Sequence, residues 1–229
     1  MSTEGRHEAA VPMVPIVQVH QADAPSVPFP KGMDLLQVLW CPYGHGEWCY
    51  PLPQVRWRDS AVIGDIRPTP VPAAGLPKNW YPSPCVVHPE QVTEFPSWDL
   101  PDEVYDGLRD RFEELFAKTG LRYSYHLAEA PGIKLGGYPG WTQESCWPDC
   151  DSCGGRMDHL LTVASWEFDA ESCRTWLPSE DRTNDPEGRG WDATTRNPAG
   201  LCLGDAGGVY IFECRTCPDR PIGHWFDCS

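Results

Sequence analysis

The sequence predicts a strand-rich α+β chain, and three observations carry that expectation. Pro and Gly number 25 and 21 among 229 residues, which favours short strands and many turns over long helices. A single segment, Asp102 to Lys118, has clear helical periodicity. Elsewhere the apolar residues fall into runs of strand length separated by turn residues.

The elements follow in chain order. Residues 1–30 read as an N-terminal segment punctuated by Pro12, Pro15, Pro25, Pro28 and Pro30. Within it, Met13 to His20 suits an extended edge segment. Residues 31–229 read as one domain, which could divide into halves 31–130 and 131–229. Asp34 to Trp40 is almost continuously apolar, as in a strand buried on both faces. Gln54 to Arg58 and Ala61 to Ile66 suggest a hairpin around Asp59 and Ser60. Residues 67–101 are Pro-rich and irregular. In the helix, Val104, Leu108, Phe112, Leu115 and Phe116 share one face, acids crowd the first turn, and Gly120 follows the end. Leu121 to His126, His159 to Trp166 and Val209 to Cys214 are further strand candidates, with a long loop at 178–200. Lys31-Gly-Met-Asp-Leu-Leu-Gln-Val38 echoes Gly155-Arg-Met-Asp-His-Leu-Leu-Thr-Val163, which points to an internal duplication.

Charge narrows the partners. The formal net charge is −15, and no basic stripe is visible for phosphate contacts. A nucleic-acid partner is therefore not expected. The charge suits either simple solubility or a basic protein client drawn by opposite potential. No signal-peptide pattern stands at the N-terminus and no apolar run approaches a membrane span. A cytoplasmic, reducing location is the expectation, and there cysteines read as metal or redox groups before disulfides.

The 11 cysteines include two Cys-x2-Cys pairs. Cys150 and Cys153 are followed by Gly154 and Gly155, which can take the positive φ a metal knuckle needs. Cys214 and Cys217 follow the run Val209-Tyr210-Ile211-Phe212, at the end of a predicted strand. Two such turns supply the four soft ligands of a tetrahedral structural Zn²⁺. About 60 residues separate the pairs, more than in a compact zinc ribbon, so the metal would tie distant segments together. The competing reading is four reduced thiols without metal. Cys146 is an alternative ligand. Cys41, His45 and Cys49 could form a second site only with a further ligand, such as His224 or Cys228.

Lys134-Leu-Gly-Gly-Tyr-Pro-Gly-Trp141 adds a second motif. Gly136 and Gly137 permit a tight bend, Pro139 fixes φ at its own position, and Trp141 can enter a core. The alternative is a ligand or peptide groove lined by Gly136, Gly137, Tyr138, Pro139 and Trp141. No phosphate loop, nucleophile elbow or His-Glu-x-x-His is present. His88-Pro89-Glu90 reads as a surface turn, and Gly204 to Gly208 as a turn leading into the Val209 strand.

This order of motifs resembles the YwqG-like family of bacterial proteins of unknown function, in an actinobacterial form. It also resembles the N-terminal module of programmed cell death 2. The likeness covers residues 134–217, and Leu35 to Pro42 resembles the family's earlier half. The resemblance implies an α+β fold with antiparallel sheets and a duplicated core. It also implies a non-catalytic protein-binding role, as a chaperone or as a toxin-immunity protein. A basic client would then meet acids of the 102–114 helix and of the 178–192 loop (Glu180, Asp181, Asp185, Glu187, Asp192). An enzyme of unknown class, working at the groove near Trp141, is the alternative.

Overall fold

In a computed structural model of the chain, residues 12–46, 49–64, 68, 76–178, 181 and 193–228 are described. They form two antiparallel sheets and a few helices, a sheet-rich α+β arrangement. The first sheet has the order β1 (Val14–His20), β2 (Leu35–His45) and β3 (Tyr50–Arg58). The second has the order β4 (Lys134–Leu135), β5 (Asp158–Ala164), β6 (Gly208–Glu213) and β7 (Ile222–Asp227).

The two sheets share one core. Val14, Leu36, Val38 and Trp40 from the first pack with Leu160, Leu161, Val163, Val209 and Ile211 from the second. Alternation along the strands explains the choice, since successive side chains leave opposite faces of a sheet. On β6, Val209 and Ile211 face this core, while Tyr210 and Phe212 enter a second cluster with Trp141, Cys150, Met157 and Cys214. All six residues of β6 are therefore buried. Trp141 is buried as a core residue, but in this second cluster rather than among the strand residues between the sheets.

The N-terminal edge segment is present as β1, paired to β2 from Val14↔Trp40 to His20↔Leu35. Ala24 and Val27 also enter the shared core, so the Pro-punctuated stretch packs with the first sheet. Leu36, Val38 and Trp40 of β2 are fully buried while Gln37 and Leu39 are half-buried, so burial alternates more than the apolar run suggested.

Two local expectations are corrected. Gln54 to Arg58 is part of β3 and pairs back onto β2, from Leu35↔Arg58 to His45↔Tyr50. It has no hairpin partner at 61–64; Ser60–Val62 is instead a 3-10 turn, and residues 65 and 66 lie outside the described residues. Asp34 explains the change, because its carboxylate accepts from both the N–H and the hydroxyl of Ser60 and holds the chain against the start of β2. The second correction is Leu121 to His126. Tyr123–His126 is a helical turn, α2, closed by the His126 N–H on the Arg122 carbonyl.

The long helix, α1, spans Asp102–Thr119 and ends at Gly120 with φ +69°. The Gly120 N–H donates to the Phe116 carbonyl, and only glycine takes that left-handed conformation without strain. Its apolar face is not covered as the pattern implied: no residue of α1 is buried. Phe112 stacks on Tyr123 at 4.5 Å between ring centroids, and the rest of the stripe is half-exposed or exposed. Most of the 178–200 loop lies outside the described residues, as do Glu180, Asp185, Glu187 and Asp192. Ala193–Arg196 forms one helical turn. Among the described residues, no helix is long and apolar enough to cross a membrane.

Candidate metal centre

Sheet register brings the two cysteine pairs together. Cys214 to Cys217 occupy the loop between β6 and β7, where Cys214 N–H donates to the Pro221 carbonyl and Arg220 N–H to the Cys217 carbonyl. Cys150 to Cys153 occupy a turn just before β5, closed by Gly154 N–H on the Cys150 carbonyl and Cys150 N–H on the Gly155 carbonyl. Gly154 supplies the positive φ at +69°. Because β5 and β6 are antiparallel neighbours, the start of one lies beside the end of the other, with Asp158 opposite Glu213. The separation in sequence is thus closed by one ladder.

The four sulfurs all lie within 4.8 Å of one another. Cys150 Sγ is 3.9 Å from Cys217 Sγ, and Cys153 Sγ is 3.6 Å from Cys214 Sγ. Four sulfurs bonded tetrahedrally at about 2.3 Å to one ion are about 3.8 Å apart, so the cluster has the size and donor type to hold a metal ion such as zinc. All 11 cysteines are free of disulfides. Cys214 is drawn down to about 7, chiefly by the Cys217 backbone N–H donating to its sulfur. Cys217 is pushed up to about 12, first by burial and then by its neighbouring thiols. At Cys153 the Gly155 N–H pulls downward, but the Cys214 contact helps leave the thiol raised. A divalent metal ion would displace those competing protons and share its charge among four thiolates.

Among the described residues, this is the one group of three or more ligand-type side chains within ligand reach. Cys41, His45 and Cys49 do not form such a group. Cys146 packs against the cluster without joining it, and burial raises its thiol.

Two supports around the centre were not evident in the sequence. Asp99 accepts from Trp147 Nε1 at 2.7 Å, from Ser145 Oγ at 2.8 Å and from Trp141 Nε1 at 3.4 Å, so one carboxylate pins the loop leading to the first cysteine turn. Arg156, just after that turn in the chain, lies 3.8 Å from the centroid of the Trp147 ring. Glu213 is fully buried beside the second cysteine turn. It pairs with Arg215 at 2.8 Å and Arg220 at 3.1 Å, and Arg220 reaches on to the Pro28 carbonyl. Arg215 lies within the second cysteine turn and Arg220 just after it, so the loop supplies the partners of the buried acid that precedes it. Arg-carboxylate pairing is a recognisable type of contact, but nothing in the local pattern names the partner.

The glycine motif follows β4 and lies beside the start of β5, where the Gly136 N–H donates to the Leu160 carbonyl. Gly136 and Gly137 have φ of +69° and +70°, and the Tyr138 N–H donates to Glu94. Glu94 also accepts from Ala130 N–H and from Lys134 Nζ, at 2.7 and 2.9 Å. A Cβ on Gly137 would stand 1.6 Å from Glu94 Oε1, so the absent side chain is what admits the carboxylate. His159 Nδ1 donates to the Gly136 carbonyl at 2.8 Å, which leaves Nε2 to accept from the Thr162 hydroxyl at 2.9 Å. Burial then holds His159 down at about 3, assisted by the Lys134 ammonium. An open depression takes Gly136, Gly137 and Tyr138 in its wall, together with Glu94, Lys134 and His159. Pro139 and Trp141 are buried instead.

Glu129 lies in the same neighbourhood and is pushed up to about 7, first by burial, although its Oε1 accepts from the Ser97 N–H. The folded chain therefore keeps a proton that the unfolded chain releases above about 4.5. The stability from this group is full at low pH and drains as pH rises through 4.5 to 7. Glu129→Gln does not titrate, so its stability relative to the parent should improve from pH 5 to pH 8. Partial exposure limits the gain to about 1–2 kcal/mol. Urea unfolding at the two pH values measures it, and a pH-independent difference rules the effect out.

The fold and site together define a sheet-rich α+β protein with a four-cysteine cluster able to hold a metal ion. No family model, curated protein or solved structure matches the chain.

Proposed function

We propose that this chain is a non-catalytic, cytoplasmic protein-binding module, held together by a structural zinc at Cys150, Cys153, Cys214 and Cys217, whose client is a basic protein. The observation that carries the reading is the four-sulfur cluster at the β5–β6 junction of a chain with net charge −15. Zinc bound by four thiolates is coordinatively closed and leaves no position for a reacting water. Its contribution is then to stability, while the charge steers an oppositely charged partner. The YwqG-like resemblance of residues 134–217 and the chaperone or immunity role it implies belong to this same reading. The two cysteine turns act as zinc knuckles. The placement of one sheet at 14–58 and the other at 134–227 supports a duplicated architecture.

The enzyme alternative has less support, because Gly136, Gly137 and Tyr138 line an open depression while Pro139 and Trp141 are buried. Affinity capture from the native cell with the metal-loaded full chain tests the choice. A stoichiometric basic partner is expected, and its association rate should fall as salt shortens the Debye length below about 10 Å. A partner of acidic pI, or salt-independent association, overturns the basic-client reading. A co-purifying small molecule in place of a protein favours an enzyme.

A further inference from the structure

An open depression of about 1440 Å³ lies beside the outer edge of β1. Five consecutive residues of that strand, Pro15 to Val19, line it. Successive side chains leave opposite faces of a strand, so such a run means that β1 turns its edge, not one face, to the depression. β1 is the outermost strand of its sheet, and that edge has no strand partner among the described residues. The second sheet borders the same space in the same way. Ile133 to Tyr138 line it consecutively, and β4 within them is again an outermost strand. The free edge of β1 runs for seven residues, about 23 Å, and is a template for one more strand.

A third wall is the segment from Ser83 to Glu94. The Ser83 N–H donates to the Ala199 carbonyl, and Glu94 accepts from the Ala130 and Tyr138 N–H groups. Between these anchors the segment makes no backbone–backbone hydrogen bond among the described residues, and residues 83–93 are exposed. Val86, Val87 and Val92 are 81%, 49% and 46% exposed, so the core does not hold this wall in place. A segment tied at two points and unbonded between them can shift to admit a guest.

Charge says which guest. Six acids line the depression, Asp23, Glu90, Glu94, Asp158, Glu167 and Asp181, against Lys134, Arg156 and Arg215. Lys134 pairs with Glu94 at 2.9 Å, Arg215 with Asp158 at 3.6 Å, and Arg156 lies over the Trp147 ring. Burial raises the Glu167 carboxyl, so Asp23, Glu90 and Asp181 carry the excess negative charge. We infer that the depression holds an extended, Lys- or Arg-bearing segment of a partner protein, added as a strand to the free edge of β1. Apolar side chains of that segment cover Val17, Val27, Ile133 and Leu135, and its cations meet Asp23, Glu90 and Asp181. The inference rests on the protein-binding reading and adds where the client is held and in what conformation.

The test uses the metal-loaded full chain and short labelled peptides of alternating Lys and Val, with binding followed by fluorescence anisotropy. A Glu/Val peptide of the same length controls for charge. Two further Lys/Val peptides are N-methylated, one on every Val and one on every Lys. A strand added to one edge offers that edge the N–H groups of alternate residues only. At least one methylated peptide should therefore bind about tenfold more weakly than the unmodified one. Asp23→Lys/Asp181→Lys should bind the Lys/Val peptide about tenfold more weakly than the parent. Glu103→Lys/Asp110→Lys makes the same change of charge on α1 and should stay within about twofold of the parent. All four positions are exposed or half-exposed, and a melting temperature equal to the parent's shows that each variant is folded. An equal loss in both variants, or in neither, overturns the location. Equal binding of all three Lys/Val peptides overturns strand addition. Failure of the parent to bind the Lys/Val peptide, or equal binding of the Glu/Val peptide, overturns the inferred occupant. The protein-binding reading falls separately, only if affinity capture also yields no basic protein. A parent that sediments as a dimer dispersed by the Lys/Val peptide assigns the edge to a second copy and overturns the occupant.

Discussion

Protein purified without chelator should carry about one metal ion per chain, and replacing any one of Cys150, Cys153, Cys214 or Cys217 by Ser should release it. The sulfurs are already gathered within 4.8 Å, on two loops that the β5–β6 ladder sets side by side. Without the ion, four thiols must share a small space at the junction of β5, β6 and β7, and Cys217 holds its proton up to about 12. Metal binding is then linked directly to folding. Loss of the ion should cost about 4 kcal/mol or more, the size reached when a structural metal is lost. Elemental analysis and thermal melts with and without EDTA measure both parts. A metal-free preparation, or a melting temperature that EDTA leaves unchanged, would show that the four cysteines are only packed thiols.

Trp141→Ala should destabilise the fold by about 3–5 kcal/mol, as large buried aromatics do on truncation. The ring is 5% exposed and touches Tyr210 at a centroid distance of 4.8 Å, with Phe212 and Trp147 each at 6.1 Å. It shares its cluster with Cys150 and Cys214, so the same variant should lose metal more readily to a competing chelator. Equilibrium unfolding of the metal-loaded protein measures the first effect. A change below about 1 kcal/mol would return Trp141 to the role of a groove residue.

The helix at 102–119 was legible because its signals are local. Acids in the first turn, a 3.6-residue apolar period and a glycine after the end act within one element. The strands at β2, β5 and β6 were legible for a similar reason, as short apolar runs between turns. The errors lie where a distant residue overrides a local pattern. Asp34 captures Ser60 and removes the expected hairpin, and the expected strand at 121–126 is a helical turn whose Tyr123 is held by the Pro96 carbonyl and the Phe112 ring. Asp99, Glu94 and Glu213 also escaped notice, because a lone acid carries no local mark of the N–H groups or arginines it will meet.

The amino-acid sequence by itself determined the chemistry of the centre: four cysteines in two short turns, with a glycine able to take positive φ. It also determined the acidic charge and the amphipathic helix. Tertiary structure alone decided that the turns meet, because the antiparallel register of β5 and β6 sets the end of one strand beside the start of the other. Tertiary structure likewise decided that Trp141 lies behind the second sheet and that α1 keeps its apolar face in solvent. Periodicity specifies that a face is apolar; only the packing of other elements specifies whether anything covers it.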